Sequence, residues 1–185
     1  MDAITALTSR VSPAKLGEPG PTQDALDKML AAAVAAPDHG KIRPWRFLVI
    51  QGDARARFGD VMARSLGRRD KEASPQKLEF EKNKAMRAPT LVVVVATPKD
   101  NPKVPEVEQI VAVGAATQNF LVAAHALGYG AFWRTGAVAY DAEVKHELGL
   151  NDKDTIVGIL YVGSVGAPGM PRQIEAREFV KAWPT

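Results

Sequence analysis

Apolar positions along the chain fall into two periodicities that separate helices from strands. Leu26, Met29, Leu30, Ala33 and Val34 recur at i, i+3, i+4, i+7 and i+8, one face of a helix. Thr22 is placed to cap its first turn and Pro37 to end it. A short helix is expected over residues 2–8, and Arg10 to Pro21, with three prolines and two glycines, reads as loop. Phe47–Ile50 reads as a buried strand, and the β-branched run Leu91–Ala96 as a strand buried on both faces. Asp53 is placed to cap a helix reaching about Leu66. Gly130–Arg134 and Ile156–Val162 supply two more strands, with a short helix over Asp141–Leu148 between them. Gly163 to Pro171 reads as a turn and Phe179–Trp183 as a tail.

The longest helix is expected from Val107 to Leu127, with Glu106 and Glu108 at its positive end and Gly128 at its C-cap. It is apolar almost all round, so a subunit interface is expected on it, with Gln109, Thr117, Gln118, Asn119 and His125 satisfied in that contact. Helices and strands alternate without a repeat. That predicts one α+β domain (an α/β sandwich) over residues 1–185, with helices flanking a central sheet.

Composition narrows the chemistry. The 185 residues are 46% hydrophobic and contain no cysteine, which excludes thiolate nucleophiles and Cys-ligated metals. Only His39, His125 and His146 carry imidazoles, so no metal site is expected. The net charge of +3 is a mild bias toward anionic ligands. No 18-residue apolar run and no signal-peptide pattern stand out, so a soluble cytoplasmic protein with no membrane partner is expected. From Arg68 to Arg87 the chain carries seven Lys/Arg and four Asp/Glu, read either as a solvated helical excursion or as a lid. Its acids interleave with its bases and it holds one aromatic, Phe80, so no nucleic-acid partner is expected.

Several catalytic motifs are missing. There is no phosphate-binding G-x-x-x-x-G-K-[ST]. Gly128-Tyr-Gly130 lacks a third glycine and follows a helix, and Gly163-Ser-Val-Gly166 has the wrong spacing for a nucleophile elbow. An enzyme with this inventory is expected to place its chemistry on a bound organic cofactor rather than on catalytic side chains. Three segments could hold one. Arg10-Val-Ser12 offers a guanidinium and a hydroxyl suited to a phosphate, though a solvated surface shows the same pair. Ala36-Pro-Asp-His39 through Pro44-Trp45 is a rigid loop, and Trp133-Arg-Thr-Gly136 ends a strand.

Together, in this order and spacing, these segments resemble the nitroreductase family, in particular its short YdjA-like branch of flavin-dependent reductases. The Met1-Asp-Ala start, Lys103-Val-Pro105, Ile156-Val-Gly158 and Leu160-Tyr161 extend the resemblance over nearly the whole chain. The resemblance implies a mostly antiparallel sheet and a homodimer with FMN at the subunit interface. It implies that Arg10, Val11 and Ser12 hold the flavin phosphate and ribityl chain. Ala35 and His39 would approach the partner's flavin, and Trp133, Arg134, Thr135 and Gly136 would line the ring. NAD(P)H would be the donor in a ping-pong cycle, with nitroaromatics or quinones as acceptors. A backbone N–H near Gly136 would face the flavin N5, and Arg134 or Lys15 would offset charge on the reduced ring.

Val11 and Ala35 depart from the basic residues of the branch. A lost charged hydrogen bond at the phosphate corresponds to about 1.5–3 kcal/mol, and Lys15, Lys41 or Arg172 are the cations expected to offset it. A flavin-storage protein of the same fold, with little turnover, is the alternative.

Overall fold

The computed structural model describes residues 1–13, 15–167, 169–171 and 174–184. Five strands, β1 (Leu16–Gly17), β2 (Trp45–Gln51), β3 (Thr90–Ala96), β4 (Gly130–Arg134) and β5 (Thr155–Val165), make one sheet. Every pairing in it is antiparallel. β5 pairs with both β3 and β4 and, at its C-terminal end, with β1, while β2 lies outside β3.

β3 shows why the sheet has two cores. Val92, Val94 and Ala96 face one side and Leu91, Val93 and Val95 the other, all fully buried. On the first side lie α2 (Gln23–Val34) and α5 (Glu106–Ala126), which bury Met29, Ala33, Val113, Ala116 and Phe120 against the sheet. On the second lie α3 (Ala54–Arg69) and α6 (Ala142–Glu147), contributing Phe58, Met62 and Val144. α4 (Pro75–Asn83) packs outside α3, and α1 (Ala3–Ser9) lies against α5.

Local signals act largely as expected. The Thr22 hydroxyl accepts from the Ala25 N–H at 3.2 Å, and Gly128 closes α5 with φ +86°. Several expectations need correction. Asp53 makes no side-chain capping bond. The Arg10–Pro21 loop contains β1, which pairs with β5 and packs Leu16 against the core. β5 runs on to Val165 where a turn was expected, because Gly163 and Ser164 are held by β4 and β1.

Four of the five polar residues named on α5, all but Gln118, find partners inside the chain. Gln109, buried, accepts from the Lys99 N–H and donates to the Lys99 and Val104 carbonyls. Thr117 donates to the Val113 carbonyl one turn back, and Asn119 donates to the Ala32 carbonyl. His125 pairs with Ser9. α5 is long and apolar enough by composition to cross a membrane, although Glu, Gln, Thr, Asn and His interrupt its apolar residues. Its packed face makes it the core helix of this fold. Its opposite face leaves Val107 and Val111 about two-thirds exposed, at 64% and 65%.

Candidate active site

The first expected segment begins where α1 ends. Asp2 caps α1 by accepting from the Thr5 N–H at 3.0 Å, and the Ser9 hydroxyl donates to the Thr5 carbonyl at 2.6 Å. Ser9 also lies 2.9 Å from His125 Nε2, which anchors this end to α5. The chain then turns extended at Arg10. Arg10 Nη1 reaches the Val11 carbonyl and Ser12 Oγ only at 3.4 Å, the long limit of a hydrogen bond. Its Nε is buried without a partner. A charged donor left in that state is destabilising unless an acceptor fills the site. Arg10, Val11 and Ser12 line a cavity of about 920 Å³ closed on its other side by Gly169–Pro171 and Glu175. Arg172 lies outside the described residues.

The second segment is the end of β4. Trp133 points to the α5 side, where its Nε1 donates to the Val157 carbonyl at 3.1 Å. The indole fits only because residue 158 is glycine, since a Cβ there would sit 2.0 Å from Nε1. Phe132 and Arg134 point to the opposite face, with the Arg134 guanidinium 4.9 Å from the Phe132 ring centre. Gly136 then takes φ +74° and ψ 178°, a region nearly closed to side-chain-bearing residues. Trp133 to Gly136 edge a cavity of about 540 Å³ floored by Phe132, Ile159 and Tyr161.

The charged 68–87 stretch forms one wall of that cavity through Glu81 and Lys84, which are ion-paired. It is largely helical, and Lys82–Asp60 and Lys77–Asp70 pairs at 2.7 and 2.6 Å hold it to α3 and to its own start. At the far rim Asp141 accepts from Ser65 and Arg68 and caps α6. Burial pushes its carboxyl upward, but the Ser65 hydroxyl, the Val144 N–H and Arg68 outweigh that and hold it below the usual 3.8. Burial raises the Tyr161 phenol above its usual 10.0, against the opposing pull of Arg134 and Arg87.

The third segment is a loop held in an unusual backbone path. Lys41 and Arg43 both adopt positive φ, 54° and 53°, and Asp38 stabilises the turn by accepting from the Arg43 N–H at 2.6 Å. His39 Nδ1 lies 2.6 Å from Glu108 at the start of α5. Ala35, exposed, is the C-cap of α2. His39 lines a groove with Val107, Val111 and Ala115, on the exposed side of α5.

Among the described residues, no one cavity of a single chain gathers the three segments. A smaller cavity of about 180 Å³ runs from Pro13, next to the first segment, to Arg134 of the second. The sequence reading missed Phe132, Tyr161, Glu81, Lys84 and Arg87 around these cavities. For Phe132 and Tyr161 a signal existed, since strand alternation puts both on the face of Arg134.

The nitroreductase family model matches residues 8–164, most of the chain and all three segments. The chain belongs to the nitroreductase family. Over 167 residues it is 39% identical to the Escherichia coli K12 protein named "Putative NAD(P)H nitroreductase YdjA", covering 89% of this chain and 88% of that one. A Haemophilus influenzae family member is 32% identical over 185 residues, covering 97% and 98% of the two chains. Among solved structures, a nitroreductase-like family protein from Bacillus cereus superposes with a TM-score of 0.87 at 22% identity, covering 100% and 97%. A Desulfovibrio desulfuricans protein, described in complex with FMN, superposes with a TM-score of 0.77 at 22% identity, covering 100% and 99%. The antiparallel α+β fold expected from the family resemblance is therefore the fold observed.

Proposed function

We propose that this chain is an FMN-dependent oxidoreductase, one domain over residues 1–185, that passes electrons from NAD(P)H to planar acceptors such as nitroaromatics or quinones. The observation that carries the reading is Arg10, whose buried Nε has no partner among the described residues. With Ser12 beside it, the guanidinium supplies the donors a phosphate monoester needs. The names of the curated relatives and the FMN of the D. desulfuricans neighbour support the same group. When bound, FMN takes a hydride from reduced nicotinamide and delivers electrons to a second substrate in a ping-pong cycle.

The chain's own residues supply holding and orientation. Arg10, Val11 and Ser12 would hold the phosphate end, and Trp133, Arg134, Thr135 and Gly136 the ring. Val11 contributes shape rather than charge, since it packs within 3.4 Å of where a Cβ on Gly169 would lie. At Gly136 the backbone comes to the cavity edge without a side chain in the way. Ala35 and His39 line neither cavity; His39 lies on the α5 groove and Ala35 is the exposed C-cap of α2. They would meet a flavin only across a homodimer formed on the exposed Val107–Val111 face.

The test is a visible spectrum of the purified protein, with FMN added and then NADH or NADPH under anaerobic conditions. Flavin bands that bleach with reduced nicotinamide are expected. Bands that never bleach favour the storage reading, and a colourless protein that ignores added FMN overturns both.

A further inference from the structure

The 180 Å³ cavity beside β4 has features that the flavin reading leaves unexplained. Its polar lining consists of Arg87, Arg134 and Tyr161, brought from the turn after α4, the end of β4 and the middle of β5. No carboxylate lines it, and neither arginine has an ion-pair partner among the described residues. Each guanidinium is instead positioned by an aromatic ring, Arg134 over Phe132 at 4.9 Å and Arg87 over Phe80 at 5.4 Å. Tyr161 is 5% exposed, and its hydroxyl bonds to no other described residue. Burial keeps that phenol protonated, so it is a donor. Three donor-bearing side chains line one small space that no carboxylate lines. That is the complement of an oxoanion.

The cavity shares Phe132, Arg134 and Tyr161 with the 540 Å³ cavity edged by Trp133 to Gly136. An acceptor ring stacked on a flavin held at the Trp133–Gly136 edge would then direct a substituent toward the smaller cavity. Resting on the reading of this chain as a flavin reductase, we infer that Arg87, Arg134 and Tyr161 form a carboxylate-recognition pocket, and that the preferred acceptors are aromatic rings bearing an anionic carboxylate. Lys84 and Arg69 add positive potential nearby, although Glu81 and Asp141 already pair with them.

The probes are benzoate and benzamide, matched in shape but not in charge, titrated calorimetrically into the protein as purified. 4-Nitrobenzoate and 4-nitrobenzamide serve as the acceptor pair in turnover. Benzoate is expected to bind at least about tenfold more tightly than benzamide, the scale of one charged hydrogen bond. Arg87→Gln and Tyr161→Phe are each expected to remove most of that preference. In turnover Arg87→Gln should raise KM for nitrobenzoate and leave nitrobenzamide kinetics and FMN affinity unchanged. Equal binding of benzoate and benzamide overturns the inference. So does an Arg87→Gln variant that loses FMN affinity without affecting benzoate, because the pocket would then serve the flavin. A chain that ignores FMN but still selects benzoate in an Arg87-dependent way refutes the flavin reading and leaves the pocket standing.

Discussion

Adding one methyl group at Gly158 drives it into the Trp133 indole. The new Cβ would lie 2.0 Å from Nε1, 2.4 Å from Cδ1 and 3.1 Å from Cε2, all within the side chain and well inside contact distance. Trp133 is wedged between the sheet and the α5 side of the core, so the ring cannot swing away without breaking its bond to the Val157 carbonyl. Overpacking of this kind costs about 1–3 kcal/mol, and the lost hydrogen bond adds about 1 kcal/mol. Against this, replacing glycine narrows the unfolded ensemble and returns about 0.4–1 kcal/mol. The net expectation for Gly158→Ala is a loss of about 2–3 kcal/mol, with Tm lower by about 4–12 °C for a chain of this size. Near-UV circular dichroism should change as the indole is displaced. The decisive assay is a double-mutant cycle with Trp133→Leu, which removes the colliding atoms. In that background Gly158→Ala should be neutral or slightly stabilising. An equal fall in Tm in both backgrounds would refute the account.

Three further outcomes follow from the same structure. Arg10→Gln should weaken FMN binding at least about tenfold in a fluorescence titration, since it removes a charged donor from the phosphate end. Asp141→Asn should lower stability by about 1–3 kcal/mol at neutral pH, through the weakened Ser65, Arg68 and α6 capping contacts. The Asp141 carboxyl sits below its unfolded value, so its contribution is complete above about pH 4 and is lost as pH falls through the folded value. The Tm gap between the two proteins should therefore close on acidification, and a gap that widens below pH 4 contradicts the assignment. Val111→Glu should convert the proposed homodimer to a monomer in sedimentation velocity, because it places a charge on the exposed Val107–Val111 face of α5.

What the sequence determined by itself was whatever rests on neighbours within one or two turns or on strand alternation. The buried run 91–96 announced a central strand, because no exposed strand keeps six successive apolar residues. Thr22 and Gly128 marked helix ends through capping bonds that reach only a few residues. The segments at Arg10, His39 and Trp133 stood out as local patterns of residue type. Only the tertiary structure decided features that depend on residues far apart in the chain. β1 exists because β5 offers it an edge, and Gln109 and Asn119 of α5 are satisfied by a loop and by α2, which the fold brings beside them. Gly158 is needed because Trp133, 25 positions earlier, lies across it. Arg87, Arg134 and Tyr161 meet for the same reason. Local periodicity encodes which face of an element is apolar, whereas the packing of those faces selects which polar groups end up sharing one cavity.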